Sequence, residues 1–516
     1  MPQNFIESRR EQGFLLPPDV RDWLGADHLA WFVIDAVGQM DVSAFYGSYR
    51  ADGHGRAAYE PSVMVTLVLY AFATDVRSSR SIERHCRQDV AFRVITGNVV
   101  PDHATIARFI VRHQGALAGL FSEVLRLCDQ AGLVKPGVVA IDGTRLSGNA
   151  SRERNHEFGK IAREIVERVR ATDEAEDEMF GEERGDELPE QLRTPEGRRE
   201  FFRQARRELA GENDGEELAE ETEVQASAGP EFEFDPERIL ARVQGRKGWL
   251  RDAERQLEQH RWEHPDPVGR SRSERLLLAA ERLEGDLAAE RAGNEAFVHH
   301  RVHGRDAQGR RLAGTPTAYE PPEVPAGRVN VTDPDSKLIK AYEGYVQGYN
   351  AQAVVDESQI VLAAEITNAS VDWSQLAPMV AATLAELARA GSGSRIETAL
   401  ADAQYWNEQH MDEVTANQHV QVLIPPDGGA SGKQRKGWTG GRYSWMRYVL
   451  NCEVGAKLYR KRKQMIEPVF GHSRHNRGVT RFHRRGRKAV RTEWRLMMMT
   501  HNLTKLHRHQ IATVGV

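Results

Sequence analysis

The stretch YEGYVQGYNAQAVVDESQIVLAAEITN, residues 342–368, points most directly to the fold class. Two β-rich runs flank Asp356-Glu357-Ser358-Gln359, four residues that favour a turn, so the stretch predicts a β-hairpin. Upstream, PGVVAIDGTRLSG (136–148) is a short β-branched run bounded by glycines, the pattern of a buried strand ending in Asp142. Downstream, the stretch from Trp373 to Ala390 (with QLAPMVAATLAELARA) predicts a helix closed by Gly391. Two short apolar runs follow, TALADAQYW (398–406), which carries Asp402, and VQVLIPP (420–426). From about Tyr459 to His509 the pattern is helical again, with Pro468 and Gly486 as interruptions. That order gives an α/β class, a mixed sheet flanked by helices.

The rest of the chain divides around this sheet. Residues 1–130 read as an all-α N-terminal domain. Pro61 opens a buried helix, and Ile82, Cys86, Val90 and Val94 recur at steps of four. Gly97 is placed to close that second helix, and another runs from Pro101-Asp102 through Ile106, Phe109 and Ile110. Two helices joined by a glycine-containing turn can bind DNA or simply pack, so DNA contact is an expectation for this domain. Between 151 and 328 charge dominates and strand signals vanish. Val243, Leu250 and Leu257 stand seven apart, as do Leu276 and Leu283, which predicts a helical hairpin with acidic, partly disordered flanks. This segment is an insertion after the first strand, so the catalytic domain is expected to comprise 131–150 plus 329–516.

The net charge of −5 hides a strong asymmetry. Ala171 to Pro236 holds 7 Lys/Arg against 23 Asp/Glu, and Ser431 to Val516 holds 21 against 3. The acidic block reads as a solvated face. The basic block is interleaved with aromatics and histidines (GWTGGRYSWMRY, RFHRRGRK), the footprint of a nucleic-acid partner. No apolar run nears the roughly 20 residues that cross a bilayer, and no apolar stretch follows the N-terminal charges, so neither membrane nor secretion is expected. Three scattered cysteines, Cys86, Cys128 and Cys452, fit a reducing cytoplasm, with association with the nucleoid.

Three acids stand out by position: Asp142 and Asp402 at strand ends, and Glu467 near the start of the C-terminal helical region. Carboxylates gathered at neighbouring strand ends repel unless cations neutralise them. Hard oxygen ligands select Mg²⁺ or Mn²⁺, and a pair of such ions suits an in-line phosphoryl displacement. Competing acids are Asp356, which follows a strand but precedes a turn, Glu493, deep in the last helix, and Asp333 and Asp335, placed like turn or cap residues. Other chemistries fail on spacing. Gly428 to Lys433 lacks the glycine and the Ser/Thr of a phosphate loop, and no His-Glu-x-x-His occurs.

Five segments resemble bacterial insertion-sequence transposases of the DDE class, in the branch with an InsH-like N-terminal domain. They are residues 59–109 (YEPSVMV…TIARF), AIDGTRLSGNAS (140–151), TDPDSKLIK with GYVQGYNAQAVVD (332–356), ALADAQYWNE (399–408) and RKRKQMIEPVFG…HNLTKLH (460–507). The resemblance implies an RNase H-like fold with Asp142, Asp402 and Glu467 as catalytic acids that hold a pair of metal ions. It implies cleavage of terminal inverted repeats and strand transfer into target DNA, by a homodimer or larger synaptic assembly on double-stranded DNA. Rival readings are an RNase H-like nuclease without strand transfer and a catalytically silent DNA-binding protein. The family's Tyr and Arg before the third acid match Tyr459 and Arg462, but Glu467 falls one residue late and Arg474 stands for a Lys. Gln404 likewise replaces a Gly common before Tyr405. Arg462, Arg474, Arg477, Arg484, Arg485, Arg487 and Lys488 are the expected phosphate contacts. The residue before a proline avoids the α region, so Glu467 is expected just ahead of a helix opening at Pro468, or at a kink.

Overall fold

The computed structural model describes residues 19–47, 49, 58–172, 192, 194–211, 234, 239, 245–264, 271–303, 318–341, 344–428 and 434–514. Helices α1 (Leu29–Gly38), α2 (Ser43–Tyr46), α3 (Pro61–Ala73), α4 (Ser79–Gln88), α5 (Val90–Thr96), α6 (His103–Arg112) and α7 (Gln114–Gln130) come first. The apolar steps of four from Ile82 to Val94 do not make one helix. Asp89 is extended, and its carboxylate accepts from the N–H groups of Ala91 and Phe92, so it ends α4 and caps α5. Val90 is left exposed by that break. Gly97, at φ 59°, closes α5 in the left-handed conformation, as expected.

The strands are β1 (Val138–Ser147), β2 (Asn155–His156), β3 (Val329–Asn330), β4 (Lys337–Ala341), β5 (Gly344–Asp356), β6 (Val361–Thr367), β7 (Thr398–Leu400) and β8 (Gln421–Leu423). β1 is central. It pairs antiparallel with β5 and parallel with β7, while β7 pairs parallel with β8. β5 pairs antiparallel with both β4 and β6. The sheet is therefore mixed, in an α/β setting. The expected hairpin forms between β5 and β6: Asp356 Oδ1 accepts the Ile360 N–H at 2.8 Å and Oδ2 the Lys135 N–H at 2.7 Å. β1 runs past Asp142 to Ser147, longer than its sequence pattern suggests.

Between β2 and β3 lie α8 (Phe158–Thr172), α9 (Pro195–Gly211), α10 (Arg246–Glu263) and α11 (Arg272–His303). α10 and α11 pack as the expected hairpin, with Trp249 edge-on to Phe297 and Leu257 buried in the same small core. A second small core joins Phe158 and Phe202 to Leu276 and Leu283. The acidic stretches 173–191 and 212–233, expected to be partly disordered, lie outside the described residues, as does Val243.

The remaining helices are α12 (Leu376–Arg389), α13 (Glu408–Asn417), α14 (Gly441–Asn451), α15 (Glu453–Gly471) and α16 (Arg487–Val514). α16 packs on α7, α3 and β6, so one contiguous apolar core joins the N-terminal helices to the sheet. Pro468 neither starts nor breaks α15, which continues to Gly471 and passes into π-helical turns at His472–Asn476. Proline removes the N–H that would bond the carbonyl four residues back. That carbonyl, on Gln464, accepts instead from Gln359 Nε2 at 3.0 Å. A hairpin-turn side chain thus satisfies the group that the proline orphans.

Candidate active site at the strand ends

Parallel pairing sets Ala140 of β1 beside Leu400 of β7. Two residues further along, each chain segment reaches an acid, Asp142 and Asp402. Asp402 caps the turn Ala403–Tyr405, accepting the Gln404 N–H at 2.8 Å. Asp142 accepts the Gly143 N–H at 2.8 Å through Oδ1, and its Oδ2 pairs with Arg462 Nη1 of α15 at 3.0 Å. Tyr459, three residues before Arg462 and so on the same helix face, donates to the Ala401 carbonyl at 3.3 Å. Burial pushes the Asp142 carboxyl up to about 6, with Arg462 opposing and Asp402 adding to the rise. Burial raises Asp402 as well, against the Gln404 N–H and Arg462. One guanidinium, paired with Asp142 and felt by Asp402 only through its charge, faces two half-shielded carboxylates, and this hard-oxygen, net negative pair suits a divalent cation.

Behind the pair lies a polar network that the sequence did not reveal. Asp372, buried between β6 and α12 in sequence, accepts from Asn350 Nδ2 (2.7 Å), Gln352 Nε2 (2.8 Å) and Arg145 Nη2 (2.6 Å). Arg145 also donates to Gln404 Oε1 at 3.2 Å, and Tyr405 donates its hydroxyl to Gln352 Oε1. Burial, reinforced by the Asp372, Asp142 and Asp402 charges, holds the Tyr405 hydroxyl well above its ordinary range. The network ties the turn carrying Asp402 to β1 and β5. Gly143 makes room for it: a Cβ there would fall 2.2 Å from Gln352 Nε2 and 2.7 Å from Asn350 Oδ1. Only the alternation along β1, which sets Gly143 and Arg145 on one face, hinted at this cluster.

The other candidate residues separate clearly. Glu467 is exposed on α15, about 140° around the helix from Arg462, and among the described residues its carboxylate carries no hydrogen bond or ion pair. Among those residues, no three His, Cys, Asp or Glu side chains come together as a metal cluster. Asp356 is committed to its turn. Glu493 is buried under the N–H groups of His483 and Arg484. Asp333 accepts the Tyr349 hydroxyl at 2.8 Å and the Gly486 N–H at 3.1 Å. Asp335 pairs with Arg282 at 2.6 Å and accepts the Arg487 N–H at 2.8 Å.

The expected phosphate contacts divide in the same way. Arg477 and Arg487 are buried rather than free for DNA: Arg477 binds Asp75 and the Phe72 and Met497 carbonyls, and Arg487 binds Glu258 of α10. Arg462 is committed to Asp142. Arg474 and Lys488 are exposed, and Arg474 donates to the Arg145 carbonyl at 3.0 Å. Arg484 and Arg485 are half-buried, and Arg485 donates to the Asn149 carbonyl at 2.9 Å. Residue type and spacing could not separate arginines that hold the fold from those that face solvent.

Two family models match the chain. The model described as a transposase domain (DUF772) matches residues 19–112, and the model described as a transposase DDE domain matches residues 326–503. No curated protein and no solved structure gives a significant match. No helix among the described residues is long and apolar enough to cross a membrane.

Proposed function

The chain belongs to the insertion-sequence DDE transposases, and on that basis we propose that it cuts DNA at its element's ends and joins the freed strands to target DNA. The reading rests on one observation, the parallel register of β1 and β7, which carries Asp142 within β1 to the level of Asp402, two residues past β7. The strand order β6-β5-β1-β7-β8, antiparallel on one side of β1 and parallel on the other, supports an RNase H-like catalytic domain. That domain comprises 131–150 and 329–516, with 1–130 as the DNA-binding helical domain and 151–328 as an insertion.

Asp142, Asp402 and Glu467 are the donors for Mg²⁺ or Mn²⁺. Glu467 is taken as the third on the resemblance: it lies on the helix that packs across β1, exposed and on a different face from Arg462, with its carboxylate uncommitted. Divalent ions held there would supply the positive charge that activates an attacking hydroxyl and stabilises the leaving oxygen of a phosphodiester. The chain's own residues do the rest. Arg462 holds Asp142 and lowers its proton affinity, and the Arg145–Asp372 network fixes the Asp402 turn. Arg474, Arg484, Arg485 and Lys488 supply positive charge for phosphates, and synapsis of two ends calls for at least two copies.

The test is cleavage and joining of DNA bearing the element's ends, with and without Mg²⁺, by wild type, Asp142→Asn, Asp402→Asn and Glu467→Gln. Wild type cuts and joins only with metal. The variants bind DNA but lose activity by roughly a thousandfold, the several kcal/mol that metal-held charge supplies. Cutting without joining would make the protein a nuclease. Binding without cutting would make it a silent DNA-binding protein. An active Glu467→Gln would remove Glu467 from the site.

A further inference from the structure

The segment GWTGGRYSWMRY places two large aromatics on the surface that the cleavage chemistry does not use. Trp445 and Tyr448, three residues apart on α14, are 62% and 68% exposed, and their ring centroids lie 6.0 Å apart. Single exposed aromatics need no explanation, but two in contact on one helix face form a patch. The helix beneath them is firmly held. Met446 is buried, Arg447 pairs with Asp427 at 2.6 Å, and Tyr443 stacks on Trp406 at 5.3 Å. Trp406 follows Asp402 by four residues, so α14 is anchored, through Tyr443, to the segment that carries that acid.

Charge selects the occupant. Residues 435–463 contain nine Lys or Arg and one acid, Glu453, and four of the nine (Arg442, Arg447, Lys461 and Arg462) pair with acids elsewhere in the chain. Lys436, Lys457, Arg460 and Lys463 are exposed around the aromatic pair in sequence. A second copy docked here about a two-fold axis would set this surface against itself, cation against cation. A polyanion with flat apolar faces matches both properties. Aromatic platforms in cationic surroundings stack the bases of single strands and carry their phosphates. A duplex hides those faces.

Resting on the transposase reading for its biological setting, we infer that Trp445 and Tyr448 stack one or two unpaired bases of single-stranded DNA. The probe is a short single-stranded oligonucleotide carrying 2-aminopurine, compared with the same sequence as a blunt duplex, using the full chain. Wild type quenches the 2-aminopurine of the single strand. Trp445→Ala and Tyr448→Ala each weaken single-strand binding about fivefold to a hundredfold and lose the quenching, while duplex binding changes little. Trp445→Phe, which keeps an aromatic face, retains most of both. Because the residues are exposed, circular dichroism of the variants should match wild type.

Unchanged single-strand affinity and quenching in both alanine variants would overturn the inference. So would a loss of self-association in sedimentation with single-strand binding intact, which assigns the patch to a second copy. Wild-type protein that cuts no element end yet still quenches would count against the transposase reading and leave the platform standing. Active wild type without quenching would do the reverse.

Discussion

Two pairs of neighbouring acids, Asp142 with Asp402 and Asp333 with Asp335, each hold a carboxyl raised by burial and differ in exposure and in what their oxygens face. Burial, with Asp335 alongside, pushes Asp333 up to about 7, further than the about 6 of Asp142. Yet the Asp333–Asp335 pair is closed. The Tyr349 hydroxyl, the Gly486 and Arg487 N–H groups and Arg282 occupy its oxygens, and α11 supplies that arginine. The Asp142–Asp402 pair has two local N–H groups and one guanidinium, which bonds Asp142 alone, and the Asp142 side chain is still 20% exposed. A perturbed acid therefore does not mark a reactive site by itself. What separates the two pairs is the coordination capacity left over.

The closed pair should fail as structure. Asp335→Ala removes the carboxylate that Arg282 and the Arg487 N–H share, leaving buried positive charge without that partner. Breaking such a pair costs about 3 kcal/mol or more. The denaturant midpoint should fall accordingly, and hydrogen exchange should rise first in α10 and α11, whose docking relies on Arg282–Asp335 and on Glu258–Arg487. A midpoint within error of wild type would mean that the seam is solvated, and the contrast would lose its closed member.

The open pair should behave oppositely. Asp142 titrates near 6 when folded against an ordinary value of 3.8. A carboxyl raised on folding favours the folded state at low pH, and that contribution is lost as pH rises. Stability conferred by the protonated form therefore declines from about pH 4 to about pH 6. Asp142→Asn removes the penalty, so at pH 7 without metal it should be more stable than wild type by up to roughly 2 kcal/mol. Below about pH 4 the difference should vanish. Thermal unfolding across that range checks both halves, and a variant less stable than wild type at neutral pH would mean that the Arg462 pair outweighs the burial cost. Gain of stability with loss of cleavage is the exchange expected where a site is built for function.

The sequence carried the scaffold of these two pairs further than their detail. The hairpin at Asp356–Gln359 was legible because turn chemistry is local, and Gly97 was legible as a helix stop for the same reason. Asp402 was legible as an acid just past a strand, whereas Asp142, expected at the end of its strand, lies in the middle of β1. The register that makes them neighbours depends on pairing across the insertion. Pro468 misled, because its penalty is relieved by Gln359, a residue distant in the chain. Arg477 and Arg487 misled for the same reason: the acids and carbonyls that bury them come from α3 and the turn after it, α10 and α16. Asp372 gave no signal at all, since Val371-Asp372-Trp373 reads as an ordinary loop.

Asp372 puts the contrast between open and closed acids under the closest strain, because it belongs by charge to the open pair and by hydrogen bonding to the closed class. Its negative field raises Asp402, yet its oxygens are filled by Asn350, Gln352 and Arg145. If open oxygens define ligands, Asp372 is a positioning residue acting through Arg145 and Gln404. Asp372→Asn keeps the shape and drops the charge, so the turn at Asp402 loosens while the Asp142 and Asp402 carboxylates remain. Cleavage of element ends should fall about tenfold, a small misplacement effect, with DNA affinity unchanged. Raising Mg²⁺ should recover little of the rate, because the substitution takes no oxygen away from the metal-holding pair. A loss as deep as that of Asp402→Asn, together with a raised Mg²⁺ requirement, would instead make Asp372 a ligand. Hydrogen-bond saturation would then be no guide to which acids open when a cation binds.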